Sequence, residues 1–335
     1  MSFADIARSA DLVYYPDSEP GIRRRRAGRG FSYTAPDGTR IDNQEERARI
    51  AAIAVPPAYS DVWISPLLRG HLQATGLDDR SRKQYRYHAD WTDHHAQLKF
   101  EKLVGFAESL PRLRRWISDR LRGEVGDRDT AIAATLALID RASLRVGHEV
   151  YTAENGTYGA TTMLREHGEF TEGRVRLNYI GKGNAEISKD FYAPRLAAVL
   201  EACQDLPGAE IVVWQDDAGI SHAVRSEQIN ETLHRLCGDD VTAKTMRTWN
   251  GTLSAFNTAL SVADLSIKAM AEAAAQTLHN TPTIARNSYV HPVVIELAAL
   301  EEDLRKPMLD RLRKVKGEVG LRAGEAALAA LLRGD

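Results

Sequence analysis

The pattern of apolar and polar residues changes near residue 90. Before that point, short extended runs such as residues 31–34 and 62–64 are separated by proline and glycine turns, a pattern that predicts β-strands. One helix is predicted there, over residues 44–53. Beyond that point, apolar residues recur at helical spacing. We therefore predict a small β-rich N-terminal domain, residues 1–90, and a larger, mostly helical domain, residues 91–335.

Within the larger domain, one island of strands is predicted among helices. The strongest helix covers residues 129–146, with Asp129 or Thr130 available as N-cap. The strand-like runs are residues 161–164, 174–180 and 185–188. Further helices are predicted at about 193–204, 225–237, 243–259, 262–278 and 292–333. The expected fold class is α+β, with a small antiparallel sheet inside a mostly helical domain.

Composition is that of an ordinary globular protein. Of the 335 residues, 43% are hydrophobic and 27% are charged. No apolar stretch approaches the ~20 residues of a membrane helix, and the first residues lack a secretory pattern, so we expect a cytoplasmic protein without membrane contact. Cys203 and Cys237 have no second Cys or His at ligand spacing, which favours free thiols and no metal site.

Charge permits nucleic-acid binding without predicting it. The net charge is −2 and the pI about 6.6, whereas nucleic-acid-binding domains are usually basic. Two local clusters reduce this objection, because a phosphate-binding surface needs local cations only. They consist of Arg23, Arg24, Arg25, Arg26 and Arg29, and of Arg80, Arg82, Lys83 and Arg86.

Two segments in the last third of the chain carry residues suited to phosphate chemistry. Lys244 and Arg247 stand three positions apart, and Asn280 precedes Tyr289 by nine. Arginine grips two phosphate oxygens and keeps its proton, and a lysine can protonate a leaving alkoxide. A phenol suits reversible attack on a phosphodiester because, with a pKa of about 10, it also leaves readily. Side chains of these types can together carry out a transesterification without a metal ion.

These segments resemble the active site of the type IB DNA topoisomerases, in their compact bacterial and poxvirus-like form. The resemblance spans roughly residues 50 to 300 and includes the N-terminal segments 56–64 and 76–88. It also includes Leu144-Arg145-Val146-Gly147, at the end of the 129–146 helix, and Tyr179-Ile180-Gly181-Lys182-Gly183 in a hairpin. The catalytic set that the resemblance implies is Arg145, Lys182, Lys244 as accessory lysine, Arg247, Asn280 where the family usually has histidine, and Tyr289 as nucleophile.

The family activity is relaxation of supercoiled duplex DNA. The resemblance implies cleavage of one strand through a 3′-phosphotyrosyl bond, rotation and religation, without ATP, metal or any cofactor. The absence of a phosphate-loop motif agrees with ATP independence. It further implies a nucleoid-associated monomer that clamps duplex DNA and needs no obligate protein partner.

Each residue has a structural alternative when it is taken alone. Arg145 can be a cation at a helix C-terminus, Lys182 a solvated turn residue, and Tyr289 a core residue. Lys244 and Arg247 can form an exposed helix stripe. Their occurrence together in the family's order favours the catalytic set. His279 is expected to point to another helix face, and Asn280→His is predicted to keep activity, because histidine is also a donor there.

A basic and aromatic strip precedes the helical domain. Its residues alternate as in a strand and can enter the major groove, with Gln84 contacting a base edge; the alternative is a protected edge strand. The candidate DNA-binding residues are Arg80, Arg82, Lys83, Gln84, Tyr85, Arg86 and Tyr87. For the arginine run at 23–26, a solvated loop and a DNA-backbone clamp are both open.

Two other functions remain open from the sequence. A tyrosine site-specific recombinase resembles the same catalytic fold, but commonly has histidine where Lys244 stands and a helical N-terminal domain. The second alternative is a non-enzymatic DNA-binding protein with the same fold but without a working catalytic set. The intact catalytic set argues against it.

Overall fold

The computed structural model describes residues 2–262 and 264–334. The chain forms two compact units, one up to Lys99 and one from Phe100 onward. This division lies inside a long helix, whereas the sequence pattern changes near residue 90. In the described part of the chain, no helix is long and apolar enough to cross a membrane.

The first unit contains a five-stranded sheet and two short helices. Its elements are α1 (Phe3–Ser9), β1 (Ile22–Ala27), β2 (Gly30–Thr34), α2 (Gln44–Ala52), β3 (Ser60–Ile64), β4 (Leu72–Leu77) and β5 (Lys83–Tyr87). The strand order is β2-β1-β3-β4-β5, and each pair is antiparallel. Ile50 of α2 is buried with Ile22, Val62 and Ile64 of the sheet. In this strand order, β2 and β5 are the two edge strands.

The second unit is mostly helical. Its elements are α3 (Ala89–Arg120), which begins in the first unit, α4 (Arg128–Ala142), α5 (Glu149–Asn155), β6 (Gly168–Thr171), β7 (Arg174–Gly181), β8 (Ala185–Tyr192), α6 (Pro194–Cys203), β9 (Val213–Gln215), β10 (Ser221–Ala223), α7 (Ser226–Cys237), α8 (Ala243–Ser261), α9 (Ile267–Leu278), α10 (Pro282–Tyr289), α11 (Pro292–Glu296), α12 (Glu302–Arg313) and α13 (Glu325–Arg333). Strands β6, β7 and β8 form an antiparallel sheet, and β9 pairs with β10. The predicted α+β fold class is confirmed.

Helix α8 lies in the middle of this unit. Its residues Trp249 and Phe256 have no solvent exposure, and the helix contacts α4, α7, α9, α10, α11, α12 and α13. Most of its residues are buried, and these include the polar residues Arg247 and Asn250. Residues that point from α8 toward its neighbours are therefore held in a rigid environment.

Several predicted boundaries were wrong. The helix predicted to reach residue 146 ends at Ala142, because Ser143 adopts a left-handed backbone with φ 56°. Residues 161–164 form no strand of the sheet; the Thr161 N–H donates to the Val146 carbonyl oxygen over 2.7 Å. The helix predicted from residue 262 begins at Ile267, where Ser266 caps it. The single helix predicted over residues 292–333 is instead three helices, α11, α12 and α13.

A buried ionic cluster attaches the C-terminal helix to the core. Arg114 of α3 donates from Nη1 to Glu325 Oε2 over 2.5 Å and from Nε to Asp140 Oδ2 over 3.0 Å. The indole nitrogen of Trp249 donates to Glu325 Oε1 over 3.0 Å, and Arg322 pairs with Asp140. Because Glu325 has no exposed side-chain surface, this cluster joins α13 to α3, α4 and α8.

Candidate active site

Four of the six predicted catalytic residues come together in the second unit. Arg145 lies on the loop that follows α4, Arg247 inside α8, Asn280 between α9 and α10, and Tyr289 at the last position of α10. Arg145 Nη2 donates to Asn280 Oδ1 over 2.6 Å. The Cζ of Arg247 lies 5.5 Å from the centroid of the Tyr289 ring. The fold thus brings together two guanidinium groups, an amide and a phenol from four separate segments.

Arg247 is the buried centre of this group, with 4% of its surface exposed. Its Nη2 donates to the Leu278 carbonyl over 2.9 Å, and its Nη1 donates to the Ser143 carbonyl. These carbonyls belong to the C-terminal ends of α9 and α4, where the helix dipole favours a cation. Burial, and then the nearby charge of Arg145, lower the pKa of Arg247 to about 10, while Tyr289 acts in the opposite direction. The group therefore stays positive at neutral pH.

Two buried donors of the site have no hydrogen-bond partner among the described residues. They are Nε of Arg247 and Nδ2 of Asn280. A buried donor without a partner costs about 1–3 kcal/mol, and such groups in a native fold require an explanation. Both atoms can bond only to an acceptor, such as an oxygen of an anion.

A cavity of about 10 Å³ adjoins these residues, and we call it the site cavity. Its lining consists of Ala142, Ser143, Leu144, Arg145, Tyr158, Tyr179, Ile187, Lys189, Arg247, Leu278 and His279. Three of these side chains are cations, and none in the described part of the chain is a carboxylate. Burial raises the pKa of Tyr179 to about 12, so this phenol stays neutral. The cavity therefore carries an excess of positive charge, which favours an anion.

The expectation that His279 points away from the site was wrong. His279 follows α9 in a left-handed conformation, with φ 49°, and therefore does not continue the helix face. It lines the site cavity instead. Burial, followed by the charges of Lys189, Arg247 and Arg145, lowers its pKa to about 4. His279 is thus a neutral imidazole near pH 7.

Tyr289 is held against α8 by its own backbone. Thr252 donates from Oγ1 to the Tyr289 carbonyl over 3.0 Å and accepts from the His291 N–H over 3.1 Å. A Cβ added to Gly251 would lie 3.0 Å from that carbonyl oxygen and 3.2 Å from the Tyr289 Cβ. Gly251 therefore permits the close approach, and Thr252 fixes it. Neither residue was singled out from the sequence.

The two predicted lysines lie apart from this group. Lys182 is exposed in the turn between β7 and β8, beside Gly183 at φ +80° and Asn184 at φ +62°. Lys244 is exposed on the first turn of α8, one helical turn before Arg247. The structure places neither ammonium group against Arg145, Asn280 or Tyr289.

The predicted DNA-binding strip forms strand β5 and the turn before it. Lys83, Tyr85 and Tyr87 follow one another on one face, where the two tyrosine rings stack at 6.1 Å. Tyr85 and Tyr87 are about half exposed, at 48% and 45%. Arg82 forms a salt bridge with Asp78 at 2.7 Å, and Gln84 donates a hydrogen bond to Asp78 over 3.0 Å. Arg80 is exposed, and Arg86 donates to the Ala54 carbonyl.

No cluster of potential metal ligands is found in the described part of the chain. In residues 2–262 and 264–334, no three His, Cys, Asp or Glu side chains are grouped so that they could hold an ion. Cys203 and Cys237 form no disulfide.

Comparison with known proteins identifies the family of this chain. Residues 30–78 match the N-terminal domain of bacterial DNA topoisomerase IB. Residues 86–287 match the catalytic core of eukaryotic DNA topoisomerase I, and this match covers more than half of the chain. The DNA topoisomerase 1B of Acanthamoeba polyphaga mimivirus is 26% identical over 292 residues, which cover 83% of this chain and 87% of that protein.

The fold, the cluster of cations and the matches together define an isomerase that acts on DNA. The chain belongs to the type IB DNA topoisomerase family. This confirms the resemblance found in the motifs, against the alternatives of a recombinase and of a non-enzymatic binder. The catalytic-core match includes Arg145, Arg247 and Asn280 but ends at residue 287, two residues before Tyr289.

The motifs missed a third cation of the site cavity, Lys189. It lies on β8 in phase with buried Ile187, while Ser188 and Asp190 are exposed. A lysine at an inward position of a strand was a signal available in the sequence.

Proposed function

We propose that this enzyme relaxes supercoiled duplex DNA by transient cleavage of one strand through Tyr289. The phenol oxygen attacks phosphorus, the bond to the 5′ oxygen breaks, and a 3′-phosphotyrosyl link forms. The free 5′ end rotates and then attacks the same phosphorus to restore the strand. The covalent link conserves the bond energy, so ATP is not required. Cationic side chains balance the charge of the phosphate in place of a metal ion.

The convergence of Arg145, Arg247, Asn280 and Tyr289 supports this proposal most directly. Arginine forks stabilise the charge that develops on non-bridging oxygens. The unpartnered donors, Arg247 Nε and Asn280 Nδ2, are available for the same oxygens. Donors that are fixed before the reaction need no reorganisation during it. We infer that Arg145, Arg247 and Asn280 hold the scissile phosphate while Tyr289 attacks.

Lys182 is proposed as the acid that protonates the leaving 5′ oxygen. Tyr179 lines the site cavity, and Lys182 follows three residues later. Three extended residues span at most about 11 Å, so a long lysine side chain can reach a substrate bound at the cavity mouth. Lys244, one turn before Arg247, is proposed to contact the neighbouring DNA backbone.

Strand β5 is proposed to contact DNA through Tyr85, Tyr87 and Lys83 on one face. Its other candidate contacts are Arg80, Arg82, Gln84 and Arg86. In duplex DNA the tyrosine hydroxyls can form uncharged hydrogen bonds with phosphate oxygens or base edges. Alanine at Tyr85 is therefore expected to weaken DNA binding at every salt concentration, whereas alanine at Lys83 should also reduce the salt dependence.

A plasmid relaxation assay tests the activity. Supercoiled plasmid in EDTA without ATP should give a ladder of topoisomers with the wild type. Tyr289→Phe removes only the nucleophilic oxygen, so it should bind DNA with wild-type affinity and leave the plasmid supercoiled. Relaxation by Tyr289→Phe would contradict the assignment, and so would a requirement for paired target sites.

A trapping experiment tests the intermediate and the number of subunits. Denaturing the reaction should leave one chain attached to each 3′ phosphate, and peptide mapping should locate the link at Tyr289. One chain per cleaved duplex is expected, because a monomer contains every proposed group. DNA as substrate implies a cytoplasmic, nucleoid-associated enzyme, which imaging of a tagged protein in cells would test.

A further inference from the structure

Lys189 is a cation on the inward face of strand β8. The strand alternates, so Ile187, Lys189 and Phe191 are turned inward while Ser188 and Asp190 are exposed. Lysine rarely occupies such positions unless its charge has a use or a partner. Here the side chain lines the site cavity. The fold therefore places a third positive charge beside the two arginines.

The ammonium group of Lys189 holds the end of helix α9. Its Nζ donates to the Thr277 carbonyl over 3.0 Å, and the next carbonyl, of Leu278, accepts from Arg247. Two cations thus bind consecutive carbonyls at the negative end of the helix dipole. The segment that follows α9 carries Asn280. These contacts therefore position the side-chain amide of Asn280.

The charged and titratable neighbours of Lys189 come from several elements. Arg247 faces it from α8 and Arg145 from the loop after α4. His279 faces it from the end of α9, Tyr179 from β7, and Tyr158 from the segment between α5 and β6. His279 and Tyr179 are neutral near pH 7, since their pKa values are about 4 and about 12. No carboxylate lines the cavity in the residues that the structure describes. Burial, and then Arg247, lower the pKa of Lys189 to about 8.

A bound phosphodiester would change this balance. Its negative charge would compensate the mutual repulsion of three cations in a small cavity. The charged form of Lys189 would then be favoured when DNA is bound. In the free enzyme, by contrast, a rise in pH above about 8 should neutralise this group.

We propose that Lys189 is a positioning residue of the cleavage reaction, which holds the end of α9 in place for Asn280 and adds the third positive charge to the site cavity. This inference rests on the function proposed above, since it assigns Lys189 a part in the same phosphate site. The motif-derived Lys182 keeps its separate part as acid.

Cleavage kinetics over pH test this role. The substrate is a duplex that releases its 5′ strand after cleavage, with enzyme below saturation, so that the rate reports the free enzyme. The wild-type rate should fall as pH rises through about 8. Lys189→Met should cleave about tenfold to a hundredfold more slowly at pH 7, the cost of losing a charged hydrogen bond, and should lack that fall. Lys189→Arg should keep most of the rate and also lack the fall.

Lys268→Met is the matched control, because Lys268 lies exposed on α9. It should match the wild type in rate and pH profile. If Lys189→Met does not fold, as judged by circular dichroism, Lys189→Gln replaces it; Gln keeps a donor but no charge. A wild-type rate and pH profile in either folded variant would overturn the inference.

A second measurement does not depend on cleavage. The ammonium signal of Lys189 is the lysine signal that disappears after Lys189→Met. In the Tyr289→Phe variant, this signal should titrate near pH 8 in the free protein and at higher pH when duplex DNA is bound. An unchanged titration would refute the role of Lys189. Failure of the proposed function appears differently: the wild type would then form no covalent adduct at Tyr289, whatever the residue at position 189.

Discussion

Arg145 donates from Nη2 to the Oδ1 of Asn280 over 2.6 Å, although 135 positions separate the two residues along the chain. This bond occupies the carbonyl end of the amide and leaves Nδ2 as a buried donor without a partner among the described residues. The arginine therefore orients the amide in addition to supplying charge. With its oxygen bonded to Arg145, the amide has its nitrogen available as a donor.

Asn280→Asp should reduce cleavage strongly. The change keeps size and shape, but replaces the Nδ2 donor with a negative acceptor that pairs with Arg145. We expect a loss of about a hundredfold or more, because a lost donor at a developing oxyanion alone costs that much. Single-turnover cleavage measures it. Asn280→His, which keeps a donor, is the control and should retain activity; an inactive Asn280→His would show that the site is arranged differently.

Gly251→Ala should displace the tyrosine. The added Cβ would approach the Tyr289 carbonyl oxygen to 3.0 Å, so the backbone of α10 must shift by a few tenths of an ångström. We expect about a tenfold slower cleavage, since a misplacement of about 1 Å can cost a hundredfold. Thr252→Val, which removes the hydroxyl bonded to Tyr289, should act similarly, and Thr252→Ser should not. Normal cleavage by both Gly251→Ala and Thr252→Val would contradict this account.

Glu325→Gln should destabilise the second unit. Glu325 has no exposed side-chain surface and pairs with Arg114, which is 14% exposed. Breaking a buried ion pair costs about 3–5 kcal/mol, so the unfolding free energy from denaturant titration at pH 7 should fall by roughly 3 kcal/mol. Glu302→Gln, on the exposed surface of α12, is the control and should change little.

The cost of Glu325→Gln should depend on pH. Burial alone would raise the pKa of Glu325, but hydrogen bonds and charge from Arg114 outweigh it, and the pKa lies below the ordinary 4.5. An acid with a lowered pKa stabilises the fold above its ordinary pKa and loses that contribution as pH falls through the lowered value. The difference between wild type and variant should therefore be constant above about pH 5 and shrink below 4. A difference that grows in acid would contradict the pairing.

The arginine run at 23–26 should divide into structural and solvent-facing members. Arg24 donates to the carbonyls of Val55, Pro56 and Tyr59 and stacks over Phe31 at 4.2 Å. Arg26, by contrast, is exposed on the same strand. Arg24→Ala is therefore expected to lower the melting temperature of the protein.

Arg26→Ala should leave stability unchanged and, if the hairpin contacts DNA, reduce the slope of log affinity against log salt by about 0.9. Fluorescence anisotropy at several salt concentrations measures this slope. An unchanged slope would identify Arg26 as a solvated residue.

The sequence predicted much of the local structure. Alternating runs became β2 and β3, the predicted helix at 44–53 is α2, and the strand-like runs at 174–180 and 185–188 form β7 and β8. Periodicity was sufficient there because it reports which face of an element is buried. Periodicity failed at the end of α4, because contacts from distant residues stabilise the left-handed Ser143. The Ser143 carbonyl accepts from Arg247, and the Ser143 hydroxyl accepts from Asn250.

The order of the motifs was enough, from the sequence alone, to identify the type IB DNA topoisomerase family. Only the tertiary structure determined the orientation of Asn280 by Arg145, the neutral state of His279 and the position of Lys189 in the site cavity. The reason is physical: the charge and direction of a polar side chain depend on burial and on neighbours from other elements. Those neighbours are set by packing, which the spacing of residues along the chain does not describe.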